Sequence, residues 1–118
     1  MREFDHVGII IDEKQANEMY VPATKVWVTN PATHPYKIEY LRFEPDSPVT
    51  GPVRDLPHIA FRVDNLEEEM AGAEVLLGPF HPTATLRVVF VLKDGAVFEF
   101  MENAEDGNWF RGRGTPNQ

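Results

Sequence analysis

Two histidines and two glutamates recur at matching places in this chain, and as a set they could bind a divalent metal ion. Internal repeats are sought first because they reveal how a fold is built. Phe4-Asp5-His6-Val7-Gly8-Ile9-Ile10-Ile11-Asp12 can be set above Leu56-Pro57-His58-Ile59-Ala60-Phe61-Arg62-Val63-Asp64 at an offset of 52 residues. His6 then falls on His58, Gly8 on Ala60 and Asp12 on Asp64. A second offset, of 60 residues, lays Ile38-Glu39-Tyr40-Leu41-Arg42-Phe43-Glu44 over Phe98-Glu99-Phe100-Met101-Glu102-Asn103-Ala104. Two neutral imidazoles and two carboxylates suit Zn²⁺, Ni²⁺, Co²⁺, Mn²⁺ or Fe²⁺, and two positions of an octahedron stay open for water or substrate. Without an ion, two facing glutamates would repel each other and one would be protonated. A single strand histidine is usually structural, so the weight lies in the repetition.

The elements that must position these groups follow from the same repeat. Each copy opens with a β-branched run that ends at an Asp and gives way to helix formers. These are Glu13-Lys14-Gln15-Ala16-Asn17-Glu18-Met19 in the first copy and Asn65-Leu66-Glu67-Glu68-Glu69-Met70 in the second. Asp12 and Asp64 are the expected helix N-caps, with Asn65 an equal choice in the second. Lys25–Thr29 reads as a strand, 30–35 as a loop, and Ala73–Leu77 leads to a Gly78-Pro79 turn. The segment 85–92 forms a hairpin with 97–101 through Lys93-Asp94-Gly95. The His-to-Glu spacing is 39 − 6 = 33 residues in the first half and 99 − 58 = 41 in the second. The first module is thus 8 residues shorter, about one strand, and a strand is expected to be missing there.

Strand alternation sorts the side chains by face. His6 goes with Gly8 and Ile10, His58 with Ala60 and Arg62, Glu39 with Leu41 and Phe43, and Glu99 with Val97 and Met101. One face can pack a helix while the other lines a cup. Glu44 competes with Glu39 but faces the opposite side. His34 and His81 sit in Pro-flanked loops as exposed residues, and Glu67–Glu69 read as a solvated helix face. Trp109 and Phe110 are assigned by default to core packing.

Composition bounds the rest. A chain of 118 residues fits one domain: module 1 at about 3–45, a linker 46–55, module 2 at about 56–103 and a tail 104–118. The net charge of −8 argues against a nucleic-acid or anionic membrane partner. The absence of cysteine removes disulfides and thiolate chemistry. No apolar run approaches a membrane span, and residues 1–6 lack the pattern of a signal peptide, so the cytoplasm is the expected location.

The segments 4–9, 57–63 and 95–102 resemble the glyoxalase-like vicinal oxygen chelate superfamily. It includes glyoxalase I, methylmalonyl-CoA epimerase, extradiol dioxygenases, fosfomycin-resistance enzymes and bleomycin-binding proteins. The resemblance covers roughly residues 3–103 and implies an α+β fold. Two tandem βαβββ modules, the first shortened, would form a curved mixed sheet around a cup. It also implies that His6, Glu39, His58 and Glu99 hold one divalent metal ion, a set most similar to that of glyoxalase I. The implied chemistry is an isomerase, epimerase or lyase reaction on a small carbonyl compound through a metal-stabilised enediolate. Glu99 would be the catalytic base, with Glu39 across the substrate. Arg62, on the face of His58, is the expected substrate anchor. Few other basic residues are placed to hold glutathione carboxylates, so a smaller substrate is expected. Within the superfamily the modules pair inside one chain or across a dimer, and a homodimer is the expected assembly. The alternatives are a non-catalytic drug-binding protein of the bleomycin-resistance type and an extradiol-type dioxygenase.

Overall fold

Val, Ile, Phe and Tyr crowd the segments flanking each landmark residue, and these β-branched and aromatic side chains suit a pleated, half-buried surface. The computed structural model describes residues 2–103. Its strands are β1 (Arg2–Ile10), β2 (Met19–Val21), β3 (Val26–Val28), β4 (Ile38–Phe43), β5 (His58–Val63), β6 (Glu74–Phe80), β7 (Leu86–Lys93) and β8 (Ala96–Asn103). Two short α-helices interrupt them, α1 (Pro52–Asp55) and α2 (Leu66–Met70), with a single 3-10 turn at Pro31–Thr33. Trp109 and Phe110 lie outside the described residues. No helix among the described residues is long and apolar enough to cross a membrane.

All eight strands join one mixed sheet in the order β2-β3-β4-β1-β5-β8-β7-β6. The order is symmetric about its centre, where β1 and β5 run antiparallel. Each of these then pairs in parallel with the last strand of its own half, β1 with β4 and β5 with β8. The sheet curls, because Val26 on β3 and Leu77 on β6 line the same cavity although their strands stand far apart in the sheet order. This is the α+β architecture of a curved sheet around a cup.

The inner face carries two apolar clusters. Val21, Val26, Val28 and Leu41 fill the first half, and Ala60, Leu86, Val88, Phe90, Val97 and Met101 the second. The connection after β4 folds across the second of these and buries Val49 and Val53 against it. On the outer face, α2 drops Leu66 onto Val63, Val89, Val91 and Phe100. β7 is therefore apolar on both sides, which explains its unbroken Leu/Val/Phe run.

Two expectations about the first half are corrected. The helix expected over 13–19 is absent, and no strand is missing, since β1 to β4 are all present. What the shorter module lacks is its helix. The Glu18 carboxylate accepts the Gln15 amide hydrogen at 3.1 Å and a two-pronged contact from Arg42, at 3.0 and 2.6 Å. Asn17 adopts a left-handed φ of 61°. A turn is thereby closed in place of a helix, and Met19 is free to begin β2. Asp12 accordingly caps no helix, and in the second half Asn65 is the N-cap, accepting the Glu68 amide hydrogen at 3.1 Å. The Gly78-Pro79 pair lies inside β6, with a cis peptide, and does not end it.

Candidate metal centre

The four residues singled out by the repeat meet at the centre of the sheet. Register explains how. Across the β1/β5 pair, His6 stands opposite Ala60 and His58 opposite Gly8. Gly8 is in turn paired with Glu39 on β4, and Ala60 with Glu99 on β8. Each imidazole thus faces a very small residue, and a carboxylate stands on that residue's other side. The room is needed: a Cβ on Gly8 would lie 2.1 Å from His58 Cε1. Glycine here serves a close approach.

All four side chains are buried: His6 at 0 %, His58 at 1 %, Glu39 at 2 % and Glu99 at 6 % exposure. One ligand atom from each falls within 4.8 Å of every other, so the group could hold a metal ion within a single chain. His6 Nε2 lies 3.3 Å from Glu39 Oε1 and 3.4 Å from Glu99 Oε1. His58 Nε2 lies 3.2 Å from Glu99 Oε1 and 4.0 Å from Glu39 Oε1. Ligands at 2.0–2.2 Å from a shared ion would be spaced about 3.0 Å at right angles, about 3.4 Å in a tetrahedron and about 4.2 Å when opposed. The observed spacings are of that kind. Moreover, Glu39 Oε2 and both ring nitrogens of His58 are buried without a hydrogen bond. Orphaned polar atoms of this sort are costly unless something else occupies their lone pairs. The donor set therefore fits a divalent ion.

Electrostatics points the same way. Burial pushes the Glu99 carboxyl up, but the His58 and His6 imidazoles outweigh it and hold the group well below the usual carboxylate range. Burial likewise opposes a charge on His6, while Glu39, Asp5 and Glu99 outweigh it and raise its pKa well above 6.5. The cluster is thus short of positive charge.

A residue that strand alternation could not disclose completes the centre. β1 has a bulge at Asp5, because Phe4 pairs with Phe61 and His6 with Ala60. The extra residue turns the Asp5 carboxylate onto His6 Nδ1, at 2.7 Å. A carboxylate on one ring nitrogen fixes the imidazole so that the other nitrogen points at the metal position. Arg62 stands behind Asp5, its Nε 3.3 Å from Asp5 Oδ1 and its terminal nitrogen 3.4 Å from Glu3 Oε1. It therefore lies at the edge of the centre among carboxylates. Glu44 faces away and accepts the Trp27 indole hydrogen at 2.6 Å. His34 packs by Tyr36 and Tyr40, half-buried, and His81 is exposed.

Both glutamates reach one cavity, which encloses about 440 Å³ of empty space, including the part continuous with solvent. Its walls come from β2, β3 and β4 on one side and from Leu77, Phe80 and Phe90 on the other, with Val49 and Val53 against it.

No protein-family profile and no curated protein sequence matches the chain. Solved structures do. A hypothetical protein, BH1468, from Bacillus halodurans C-125 superposes with a TM-score of 0.61 at 20% identity, over 91% of this chain and 98% of that one. Methylmalonyl-CoA epimerase from Mycobacterium tuberculosis superposes with a TM-score of 0.58 at 17% identity, over 86% and 88%. The chain thus shares the fold of these two proteins.

Proposed function

We propose that this protein is a metal-dependent isomerase, epimerase or lyase that moves a proton on the carbon beside the carbonyl of a small substrate. The observation that carries this reading is the convergence of His6, Glu39, His58 and Glu99 around one point, buried yet open to the cavity. A shared fold with an epimerase supports it. His6, His58, Glu39 and Glu99 would hold the ion. Its contribution when bound is that of a Lewis acid, drawing electron density from a carbonyl oxygen and acidifying the adjacent C–H.

The chain supplies everything else. Asp5 orients His6, and Gly8 leaves space for His58. Glu99 and Glu39 border the cavity, so each can receive or return a proton at a carboxylate oxygen facing the substrate. Glu99 is the base in this reading, by the resemblance to glyoxalase I, and it borders the cavity in which the substrate would lie. Glu39, from the opposite half of the sheet, would serve the other side of the substrate, as an epimerisation requires. Arg62 would act on the centre through Asp5, or on a substrate reaching that edge.

The test is solvent isotope exchange. Protein loaded with Ni²⁺, Co²⁺, Mn²⁺ or Zn²⁺ is incubated in D₂O with α-hydroxyketones and α-ketoaldehydes, and proton NMR follows the C–H signal. Wash-in of deuterium that is lost in Glu99→Gln and on chelation is the expected result. Tight metal binding with no exchange on any substrate of the panel would favour a non-catalytic binder.

A further inference from the structure

We propose that the cavity beside the metal centre takes a compact compound with its oxygens at the metal end and an uncharged hydrocarbon body at the other. The inference rests on the function proposed above and narrows its substrate class. Apart from Glu39 and Glu99 the lining is Val, Leu, Phe and Pro with the single hydroxyl of Thr24. Among the described residues no lysine, arginine or histidine lines it. A substrate phosphate, carboxylate or sulfonate placed among these walls, away from the metal end, would be desolvated with no side-chain cation to meet it.

The arginines nearest the cup are committed elsewhere. Arg54 lies over the Phe43 ring, 5.4 Å from its centroid, and donates to the Val49 and Glu44 carbonyls at 3.5 and 3.4 Å. Arg42 is held by Glu18, and Arg62 by Glu3 and Asp5. Apolar walls with a few converging polar groups are the usual build of a small-ligand site. Here the charged groups, Glu39 and Glu99, sit at the metal end. Carboxylates carried away from the chelating end, as in glutathione, do not suit these walls. The bound compound would instead place its carbonyl between the two glutamates and its hydrocarbon part among Val26, Val28, Leu41 and Phe90.

Three hydroxamates, which chelate a metal through two oxygens, separate charge from size: acetohydroxamate, benzohydroxamate and 4-carboxybenzohydroxamate. Each is titrated calorimetrically into metal-loaded protein, while NMR follows the Val and Leu methyl groups. Benzohydroxamate should bind at least about tenfold more tightly than either of the others, because it alone buries an uncharged ring. The shifted methyls should be those of Val26, Val28 and Leu41. Equal or tighter binding of the carboxylated compound overturns the inference, as does acetohydroxamate matching benzohydroxamate or none of the three binding. These outcomes leave the metal function standing, since loading is measured separately. If no metal loads, that function fails, and benzamide against 4-carboxybenzamide on the metal-free protein then decides for the cavity by the same methyl shifts.

Discussion

At the scale of single residues, the centre depends on groups that touch it and on groups that only make room or hold direction. Gly8 makes room. In Gly8→Ala the new methyl would meet the His58 ring at 2.1 Å, so the ring must swing away. The fold should survive with a loss of about 1–3 kcal/mol, while metal affinity falls more than about tenfold in calorimetry. Asp5 holds direction. Asp5→Asn keeps its size but removes the charge facing His6 Nδ1. Metal affinity should fall about 10–100-fold with little change in thermal stability of the metal-free protein. Unchanged affinity would mean that the carboxylate is not what sets the ring. The four converging side chains were legible in the sequence because duplication repeats His-then-Glu at equivalent strand positions. Asp5 was not legible, because a bulge arises from the pairing of two strands and leaves no period in one of them.

At the scale of elements, the two halves differ in what covers their outer face. In the second half α2 does so through Leu66, which is fully buried. Leu66→Ala should cost about 2–5 kcal/mol in denaturant unfolding and leave the inner-face metal centre in place. In the first half the helix has given way to the turn that Glu18 closes. Arg42 holds the Glu18 carboxyl below its ordinary value near 4.5, with burial opposing. A depressed carboxyl pKa adds stability that is complete above the unfolded value and is lost as pH falls through the folded one. Compared with Glu18→Gln, the wild type should be more stable by on the order of 1 kcal/mol at neutral pH, and the difference should vanish in acid. A gap that persists in acid would place the contribution elsewhere. Here the sequence misled for a physical reason. Glu13 to Met19 has good helix formers, but intrinsic propensity is weak, and one bidentate Arg–Glu contact with a left-handed Asn17 overrides it. The missing 8 residues were charged to a strand because length alone cannot say which element was lost.

At the scale of the whole molecule, the symmetric strand order turns a repeated sequence into one site. β1 and β5 run antiparallel at the centre with the equivalent residues Val7 and Ile59 paired, which brings His6 and His58 to neighbouring positions, and each half contributes one imidazole and one carboxylate. Neither half holds the set alone. This arrangement is the central claim, and titration of Ni²⁺, Co²⁺, Mn²⁺ and Zn²⁺ into the metal-free protein tests it most directly. The account predicts one ion per chain for at least one of these metals, and a stability gain of about 2.7 kcal/mol when free metal is a hundredfold above its Kd. It also predicts affinity reduced more than about 100-fold in both His6→Ala and His58→Ala. Absence of binding by all four ions, or binding that either alanine variant leaves unchanged, would contradict it.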